Sequence, residues 1–350
     1  VTVRVPVYRV RLEVLAADGR PLPNGTVVIE GAEYPMKEGS LELAYVREGV
    51  YRLSVVFRGF EVFRGTLAVS DDVDGRIEAE IYGLRLRFLD AEGNPVEVSW
   101  RLRAEGLDVS GSGGSARVDF VPDLDLELSI AYRFLNSSVE VLRLTERTKS
   151  LAGREEVRLP LGRLRVSVSW DYGAPFSGNM RLTFGGQELT VQVRNGRFES
   201  DEPLPFGNYS YVLIGGAGAL LGSGNFNHRG EAVTIAIKTI RISVSVKDLL
   251  GTPVPGAQVR VTKGGVLYGT GTTDRSGTVT FTRLPEALVP YSVEVRVREH
   301  SETRPTSGDV SFEVPYLHVM DALLSPLEMM AIGGVTAAAL TSLAIYSIRR

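Results

Sequence analysis

The 350-residue sequence contains no cysteine and only three histidines. Without cysteine the chain can form no disulfide bond, present no thiol nucleophile and bind no metal through sulfur. The histidines, His228, His300 and His318, are far apart in sequence, so a metal site or catalytic triad built from them is not expected. No other nucleophile and base stand in a catalytic pattern. We therefore expect neither an enzyme nor a protein that binds a cofactor or a metal.

An excess of charge of either sign is also lacking, with 39 basic and 42 acidic residues and a formal net charge of −3. Because the chain has no overall positive field, nucleic acid is not an expected partner. Lysine is scarce: five of the basic residues are lysines and the rest are arginines. This bias fits a GC-rich genome or a hot habitat. Together with the missing disulfides, it favours a prokaryotic and, in our interpretation, archaeal origin.

Three stretches contain residues that are often functional, but each lacks part of its motif. Residues 70–75 (SDDVDG) resemble the first half of a calcium loop, yet Ile81 stands where an EF-hand needs its bidentate glutamate. A looser calcium site between domains stays open. The carboxylates of residues 123–127 alternate with leucines and are expected on the wet face of a strand. The glycine-rich residues 215–224 lack the Lys-Ser/Thr ending of a phosphate loop.

What the sequence does contain is an internal repeat. A Gly-x-Pro turn occurs four times, with its glycine at Gly19, Gly93, Gly173 and Gly251, at spacings of 74, 80 and 78 residues. Residues five, seven and nine positions before each glycine are apolar, and those between them are polar. The twelve apolar residues are Val10, Leu12, Val14, Leu84, Leu86, Phe88, Leu164, Val166, Val168, Ile242, Val244 and Val246. This period of two predicts an opening strand with one face in a core, followed by a turn.

Each repeat also ends in an alternating strand that runs straight into the opening strand of the next, as residues 77–81 do. With almost no linker between repeats, we expect semi-rigid tandem domains rather than beads on a flexible thread. The predicted fold is all-β, with four tandem β-sandwiches followed by one C-terminal transmembrane α-helix. The predicted sandwiches cover residues 1–82, 83–161, 162–239 and 240–315.

The fourth repeat resembles the carboxypeptidase regulatory-like, or transthyretin-like, β-sandwich repeat. The resemblance rests on residues 251–259 (GTPVPGAQV), residues 272–279 (TTDRSGTV), Leu284-Pro285 and Tyr291. The first repeat is similar through residues 19–25 (GRPLPNG) and 49–51 (GVY), whereas the second and third keep mainly the opening strand and its turn. The resemblance implies seven-stranded Ig-like sandwiches that stand in tandem on cell surfaces as spacers, adhesive modules or non-catalytic appendages. It identifies a fold better than a function.

Near the C-terminus, residues 329–348 run for 20 positions without a charged side chain and are followed by Arg349 and Arg350. At about 1.5 Å per residue, a helix of this length crosses a hydrocarbon core of roughly 30 Å. By the positive-inside rule, the two arginines predict a cytoplasmic end at residues 349–350 and place the sandwiches outside the cell. We therefore expect a single-pass protein of the cell membrane, with the lipid bilayer as one partner.

The segment that precedes this span, residues 316–328, is apolar but interrupted by charges and a proline, and we expect it to lie at the membrane interface. Within the span, Gly334, Ala338 and Ser342 stand at four-residue spacing and form a stripe of small residues. Such a stripe lets a second helix approach closely in lipid. A helix partner and an ordinary Ala- and Gly-rich span account for it equally well.

Three acceptor sequons for N-glycosylation occur, at Asn24, Asn136 and Asn208. Short sequons arise by chance, but domains that face outward would expose them to modification. Glycosylation at these three asparagines is therefore an expectation of the surface location.

These features favour a membrane-anchored extracellular structural or interaction protein, a stalk or spacer that meets a protein partner such as a surface lattice. One alternative is an accessory, non-catalytic subunit of a membrane complex for transport, secretion or glycosylation, docked through its transmembrane helix. A further alternative is an adhesion or filament subunit in which residues 1–5 (VTVRV) donate a strand to a neighbour's sheet.

Overall fold

The computed structural model of the chain describes residues 5–286, 290–319 and 322–333. The chain divides into two compact units. The first contains residues 1–164, 200–207 and 228–230, and the second contains residues 165–199, 208–227 and 231–350. The described residues are overwhelmingly β-strand, so the all-β prediction is confirmed.

The strands form four consecutive modules. Module 1 contains β1 (Val7–Leu15), β2 (Asn24–Ile29), β3 (Ala32–Lys37), β4 (Ser40–Arg47), β5 (Gly49–Phe57), β6 (Phe60–Val69) and β7 (Val73–Glu78). Module 2 contains β8 (Ile81–Leu89), β9 (Val98–Ala104), β10 (Leu107–Gly113), β11 (Ser115–Pro122), β12 (Asp125–Phe134), β13 (Ser137–Arg147), the helix α1 (Thr148–Ala152) and β14 (Glu156–Arg158).

Module 3 contains β15 (Leu161–Gly162), β16 (Arg165–Trp170), β17 (Gly178–Phe184), β18 (Gln187–Val193), β19 (Arg197–Glu199), β20 (Leu204–Pro205), β21 (Gly207–Ile214), a 3₁₀ turn (Gly216–Gly218), β22 (Leu220–His228) and β23 (Val233–Ile237). Module 4 contains β24 (Thr239–Lys247), β25 (Gln258–Lys263), β26 (Val266–Thr272), β27 (Thr278–Pro285), β28 (Tyr291–Val297), β29 (His300–Thr306) and β30 (Val310–Glu313).

Modules 2, 3 and 4 each pair a four-stranded sheet with a three-stranded sheet of the same connectivity. In module 4 the sheets have the orders β26-β25-β28-β29 and β27-β24-β30. Module 1 has the same two layers, but the contact of Lys37 with Ser40 joins them into one seven-stranded sheet, β6-β5-β2-β3-β4-β1-β7. In every module the opening strand lies in the middle of the smaller layer and the closing strand pairs with it in parallel.

The opening strands place their apolar residues as the period of two predicts. All twelve of these residues are buried, with at most 3% of each side chain exposed. Their polar neighbours face outward, from the exposed Arg11 and Arg85 to the half-buried Ser243. In module 1 the buried residues of both layers belong to a single core, which shows that the two layers pack face to face.

The four Gly-x-Pro turns adopt one geometry. Gly19, Gly93, Gly173 and Gly251 have φ angles between +79° and +89°, a region that only glycine enters at little cost. Each glycine N–H donates to the carbonyl three residues earlier, and each proline forms a bridge back to the opening strand. The turn therefore sends the chain from the opening strand of one layer toward the other layer in all four modules.

A second repeated position is not apparent from the sequence pattern. Near the end of each opening strand, a buried residue donates its N–H to a glycine carbonyl of the neighbouring hairpin. The four pairs are Val14 with Gly39, Phe88 with Gly114, Val168 with Gly196 and Val246 with Gly277, at 2.7 to 3.0 Å. A side chain at Gly277 would come within 2.6 Å of the Val246 carbonyl, so this position needs glycine for space as well as for its φ of +70°.

The modules are joined by one repeated contact. In module 1, the N–H of Ala17, next to the turn, donates to the carbonyl of Ile81, where the closing strand has just become the opening strand of module 2. The equivalent hydrogen bonds join Ala91 to Leu161, Asp171 to Ile237 and Leu249 to Tyr316, at 2.9, 2.9, 3.0 and 3.2 Å in chain order. Within each unit, between modules 1 and 2 and between modules 3 and 4, this contact pins the chain at the point of transfer.

After Tyr316 the chain forms a short hairpin of β31 (Leu317–Val319) and β32 (Ala322–Leu324) and then a helix whose described part is residues 326–333. A capping box begins this helix: Ser325 Oγ accepts the Glu328 N–H at 3.1 Å, and a Glu328 carboxylate oxygen accepts the Ser325 N–H at 2.6 Å. The helix thus begins at residue 326, inside the segment that we expected to lie at the membrane interface, rather than at 329.

Within the described ranges, none of the helices combines the length and the apolar character that crossing a membrane requires. Residues 334–348, with the stripe of Gly334, Ala338 and Ser342, lie outside the described residues, as do Arg349 and Arg350. The transmembrane helix therefore stays a prediction from the sequence.

Candidate functional site

The three sequon asparagines all stand on the surface. Asn24 begins β2, Asn136 lies in the turn between β12 and β13, and Asn208 lies in β21, and each is exposed. They belong to three different modules and do not converge on one site. Their exposure is compatible with glycosylation, which stays a prediction.

His228 is a buried structural residue of the first unit. It is fully buried, its Nε2 lies 3.1 Å from the Gly162 carbonyl, and its Nδ1 accepts the Gly230 N–H at 3.4 Å. The ring packs edge-on against Phe206 at 5.0 Å between centroids. Burial lowers the pKa of His228, against the opposing effect of its hydrogen bonds to the backbone of Gly162 and Leu204. The imidazole is thus held neutral and enclosed, which suits packing rather than metal binding.

The other histidines lie elsewhere: His300 begins β29, with its Nε2 3.9 Å from a carboxylate oxygen of Glu302, and His318 lies in β31. In the part of the chain that the structure describes, no three His, Cys, Asp or Glu side chains stand close enough together to hold a metal ion.

Two carboxylates of the acidic stretches accept hydrogen bonds from backbone N–H groups. Asp72 accepts the N–H of Arg9 at 2.7 Å, which ties residues 70–75 to the opening strand of module 1. Asp125 is exposed on the strand face, as its alternation with leucines predicts. Asp123 is not on that wet face: its carboxylate accepts the Lys149 N–H at 3.1 Å and pairs with Arg147 at 2.8 Å at the start of α1. The alternation could not reveal this role, because the partner Arg147 stands 24 residues later in the chain.

The joint between modules 1 and 2 is organised around Arg20, the middle residue of the first Gly-x-Pro turn. Its Nε donates to Asp18 at 2.7 Å and its Nη2 donates to Asp119 of module 2 at 2.8 Å. The guanidinium carbon also lies 4.8 Å from the ring centroid of Phe120. The hydrogen bond from Arg20 lowers the pKa of Asp119, an effect that partial burial opposes. Two carboxylates and an aromatic face therefore satisfy this cation.

The joint between modules 3 and 4 lies within the second unit and is built from aromatic residues. The Tyr268 hydroxyl donates to the Leu220 carbonyl at 3.2 Å, and the Arg283 guanidinium carbon lies 4.5 Å from the ring centroid of Tyr172. Leu220 belongs to the glycine-rich residues 215–224, so this stretch forms a hairpin that contacts module 4. It has no phosphate-loop geometry.

Lys263 lies at this second joint, in an unusual environment. It ends β25 on the same inward face as Val259 and Val261, and only 7% of the residue is exposed. Its Nζ is buried and has no hydrogen-bond partner among the described residues. The nearest electrostatic contact is the ring of Tyr291, 5.4 Å from Nζ to the centroid. Burial lowers the pKa of Lys263, because the ammonium form loses its hydration.

Tyr291 is itself fixed in place beneath Lys263. The ring is 1% exposed, its hydroxyl donates to the Pro285 carbonyl at 2.6 Å, and Tyr268 packs edge-on against it at 5.2 Å. Burial raises the pKa of Tyr291, so its hydroxyl stays protonated and keeps donating. The aromatic surface that faces the ammonium is therefore rigid and neutral.

A cleft of about 330 Å³ adjoins Lys263 between modules 3 and 4. Its walls include Tyr211, Leu221, Ser223, Ile237, Lys238 and Glu286. This cleft combines apolar walls, a hydroxyl, a carboxylate and two lysines, one of them buried. The buried lysine at its edge makes this cleft a candidate binding site.

Lys263 belongs to none of the motifs that stand out in the sequence. A signal was present: in β25 the alternation of Val259 and Val261 places Lys263 at the next inward position, where an apolar residue is expected. A lysine in register with a buried face is a conflict, and such conflicts often mark functional positions.

No protein-family model matches the chain, and no curated protein matches it. Among solved structures, it is similar to the TIE protein of Bacillus anthracis, with 12% identity over 89% of this chain and 75% of that one and a TM-score of 0.24. The minor pilin of Streptococcus agalactiae has 13% identity over 44% of this chain and 94% of its own, with a TM-score of 0.27. The major pilin subunit of Bacillus cereus has 10% identity over 88% and 99%, with a TM-score of 0.22.

Similarities this weak do not establish a shared family or a shared function. The resemblance of the fourth repeat to the carboxypeptidase regulatory-like domain, like the archaeal origin, therefore stays a prediction.

Proposed function

We propose that this chain is a non-catalytic structural protein of the cell surface, in which four β-sandwich modules are held outside the membrane by a C-terminal helix. The observation that carries the proposal is the repeated contact between modules. The same hydrogen bond pins each closing strand at the point where it becomes the next segment, from Ala17 with Ile81 to Leu249 with Tyr316. Tandem modules that are joined in this way suit a stalk or spacer, whose role is to separate two attachment points.

The anchor is supported by the end of the described chain. The contact at Tyr316 leads to a capped helix, and its first two turns expose Leu327, Met330 and Ile332, with 75%, 66% and 51% of each residue accessible. An exposed apolar helix surface is costly in water and suits lipid. The uncharged sequence that continues from it to residue 348 is long enough to span a bilayer.

Membrane fractionation of the full chain tests this proposal. The full chain should sediment with membranes and resist extraction by high salt and carbonate, whereas a chain ended at Ser325 should be released. If both versions are soluble, or both stay bound, the helix is not the anchor. Protease added to intact cells should degrade the modules of the full chain, because the proposal places them outside the cell.

Gentle detergent extraction from native membranes, followed by size and mass analysis, distinguishes the stalk from an accessory subunit. Recovery alone or with a surface lattice supports the stalk. Recovery in a fixed ratio with a polytopic membrane protein would overturn it. In the same sample, intact mass should show glycans on Asn24, Asn136 and Asn208, and three bare asparagines would remove that part of the proposal.

A further inference from the structure

We propose that the cleft between modules 3 and 4 binds a small organic carboxylate, with the Lys263 ammonium as its charge partner. The inference rests on the described residues of the second unit and does not depend on the membrane anchor. It would hold equally if the chain were a free surface protein or a subunit of a complex.

Lys263 has no polar partner in the described part of the chain to replace the water that its buried ammonium loses. Long lysine side chains usually bury the stem and keep the ammonium in water, but here Nζ itself is buried. Within the described ranges no oxygen accepts a hydrogen bond from it, and the Tyr291 ring at 5.4 Å offers only a cation–π contact. Such a contact does not replace the hydration that a buried ammonium loses. Among the described residues the ammonium therefore has no acceptor, and the position suits one that a ligand supplies.

Lys263 lines a cleft that has room for such an acceptor, and because Nζ is buried in this conformation, binding requires the ammonium to turn toward the cleft by a change of side-chain rotamer. A volume of about 330 Å³ is at the small end of ligand pockets and suits a molecule of about ten non-hydrogen atoms. Both modules contribute to it: Tyr211 and Leu221 from module 3, and Lys263 and Glu286 from module 4.

The charged groups of the cleft walls indicate the chemical class of the ligand. The cleft walls contain two lysines, Lys263 and Lys238, and one carboxylate, Glu286, so the cleft carries a net positive charge and selects an anion. Phosphate sites usually offer an arginine fork, and the described walls contain no arginine. A single buried ammonium beside Leu221 and Ile237 instead matches a monoanion with an apolar body, which is a small organic acid.

The test is a binding titration of the full chain with acetate, butanoate and benzoate, each compared with its neutral amide. We expect saturable binding of at least one carboxylate, with the amide of the same shape weaker by about tenfold or more, because the charge-assisted hydrogen bond is lost. Equal binding of acid and amide, or no saturable binding of any of the three acids, would overturn the proposal.

Two variants identify the residue responsible. Lys263→Met removes the ammonium and keeps an unbranched apolar stem, and it should reduce carboxylate affinity by about tenfold or more. Lys247→Met removes an exposed lysine of the same module and should leave the affinity unchanged. If Lys263→Met binds the acid as well as the original chain does, the site is not built on Lys263.

A pH series on the original chain keeps the proposal falsifiable if Lys263→Met does not fold. Affinity for the acid should fall as pH rises from neutral toward the lowered pKa of Lys263, since the neutral amine no longer pairs with an anion. The titratable groups around Lys263 are Tyr211, Glu286 and Lys238 in the cleft walls, and Tyr291 with Tyr268 beneath the lysine. Burial raises the pKa values of the three tyrosines above 10, so they stay neutral in this range.

The series is repeated with Lys238→Met, which removes the only other lysine of the cleft walls. If the loss of affinity with pH disappears in this variant, Lys238 rather than Lys263 carries the charge and the proposal fails. If the loss persists, Lys263 is the titrating partner.

Discussion

The two intra-unit joints hold a cation against an aromatic ring in opposite ways. Between modules 1 and 2, Arg20 lies over Phe120 and also pairs with Asp18 and Asp119, at 2.7 and 2.8 Å. Between modules 3 and 4, Lys263 lies over Tyr291 with its ammonium more deeply buried and without a hydrogen-bond partner among the described residues. The backbone contact that links the modules is the same at both joints.

The difference shows which joint is complete within the chain. Arg20 keeps about a third of its side chain in water and satisfies the rest with two carboxylates, so its electrostatic role is structural. Lys263 gives up its hydration and gains only a ring, which lowers the stability of the unit unless something else pairs with it. The same backbone contact thus accompanies a paired cation, Arg20, at the first joint and, within the described ranges, an unpaired cation, Lys263, at the second.

The largest expected effect is that of removing the aromatic surface at the second joint. Tyr291→Ala deletes a side chain that is 1% exposed, together with its hydrogen bond to Pro285, and should destabilise module 4 by roughly 3–5 kcal/mol. Tyr291→Phe keeps the ring and should cost only about 1–2 kcal/mol. Hydrogen exchange of β25 and β28 measures this locally.

At the first joint, Phe120→Ala should cost less than Tyr291→Ala, because Phe120 is only half-buried. If the two alanine variants are equally destabilising, the two aromatic rings contribute equally to stability, and the difference that we infer between the joints is wrong.

The next effect has opposite signs at the two joints. Lys263→Met replaces an unpaired buried ammonium by an apolar side chain and should stabilise the ligand-free second unit by about 1–3 kcal/mol. Arg20→Met removes two partly exposed ion pairs and should destabilise the first unit by about 1 kcal/mol. Denaturant unfolding with hydrogen exchange distinguishes the two units. A destabilising Lys263→Met would mean that the ammonium already has a partner.

The pH dependence of stability should also differ between the joints. Asp119 has a lowered pKa in the folded state, so its contribution is present above the unfolded value of 3.8 and is lost as pH falls through the lower folded value. Lys263 also has a lowered folded pKa, below its ordinary 10.5, so the unfolded chain binds the extra proton in that interval. The cost of Lys263 is therefore present at low pH and is relieved as pH rises toward 10.5.

The stability difference between the original chain and Lys263→Met, followed from neutral pH to about pH 10, isolates this change. The tyrosines at the joint are common to both chains and therefore cancel. A difference that does not shrink toward alkaline pH would show that Lys263 is not held in the environment described here.

Much of the fold is predictable from the sequence because it depends on local regularities. The period of two in the opening strands and the four Gly-x-Pro turns each act within about ten residues, and the structure confirms both. The capping box at Ser325 and Glu328 is also a local signal. It predicts that the helix begins at residue 326, as observed, rather than at 329.

The candidate site was not predictable in the same way. Arg20 and Asp119 are 99 residues apart, and no local pattern links them. The inward register of Lys263 can be inferred from β25, but the cleft beside it depends on residues from β21 to β23 in another module. A period reveals which way a side chain points, whereas its neighbours across a joint depend on how two modules meet.

The smallest expected effect tests whether Arg20 depends on both of its carboxylates. Asp119→Asn should destabilise the first joint by about 0.5–1 kcal/mol, because the pair is partly exposed and Asp18 still holds the guanidinium. Asp108→Asn is a matched control: Asp108 is paired with the exposed Arg101 in the other sheet of the same module, across β9 and β10. Hydrogen exchange at β8 and β11 should respond to Asp119→Asn and not to Asp108→Asn. If both variants have the same effect, Asp119 contributes no more than a surface ion pair, and only the aromatic contact and Asp18 would distinguish Arg20 from Lys263.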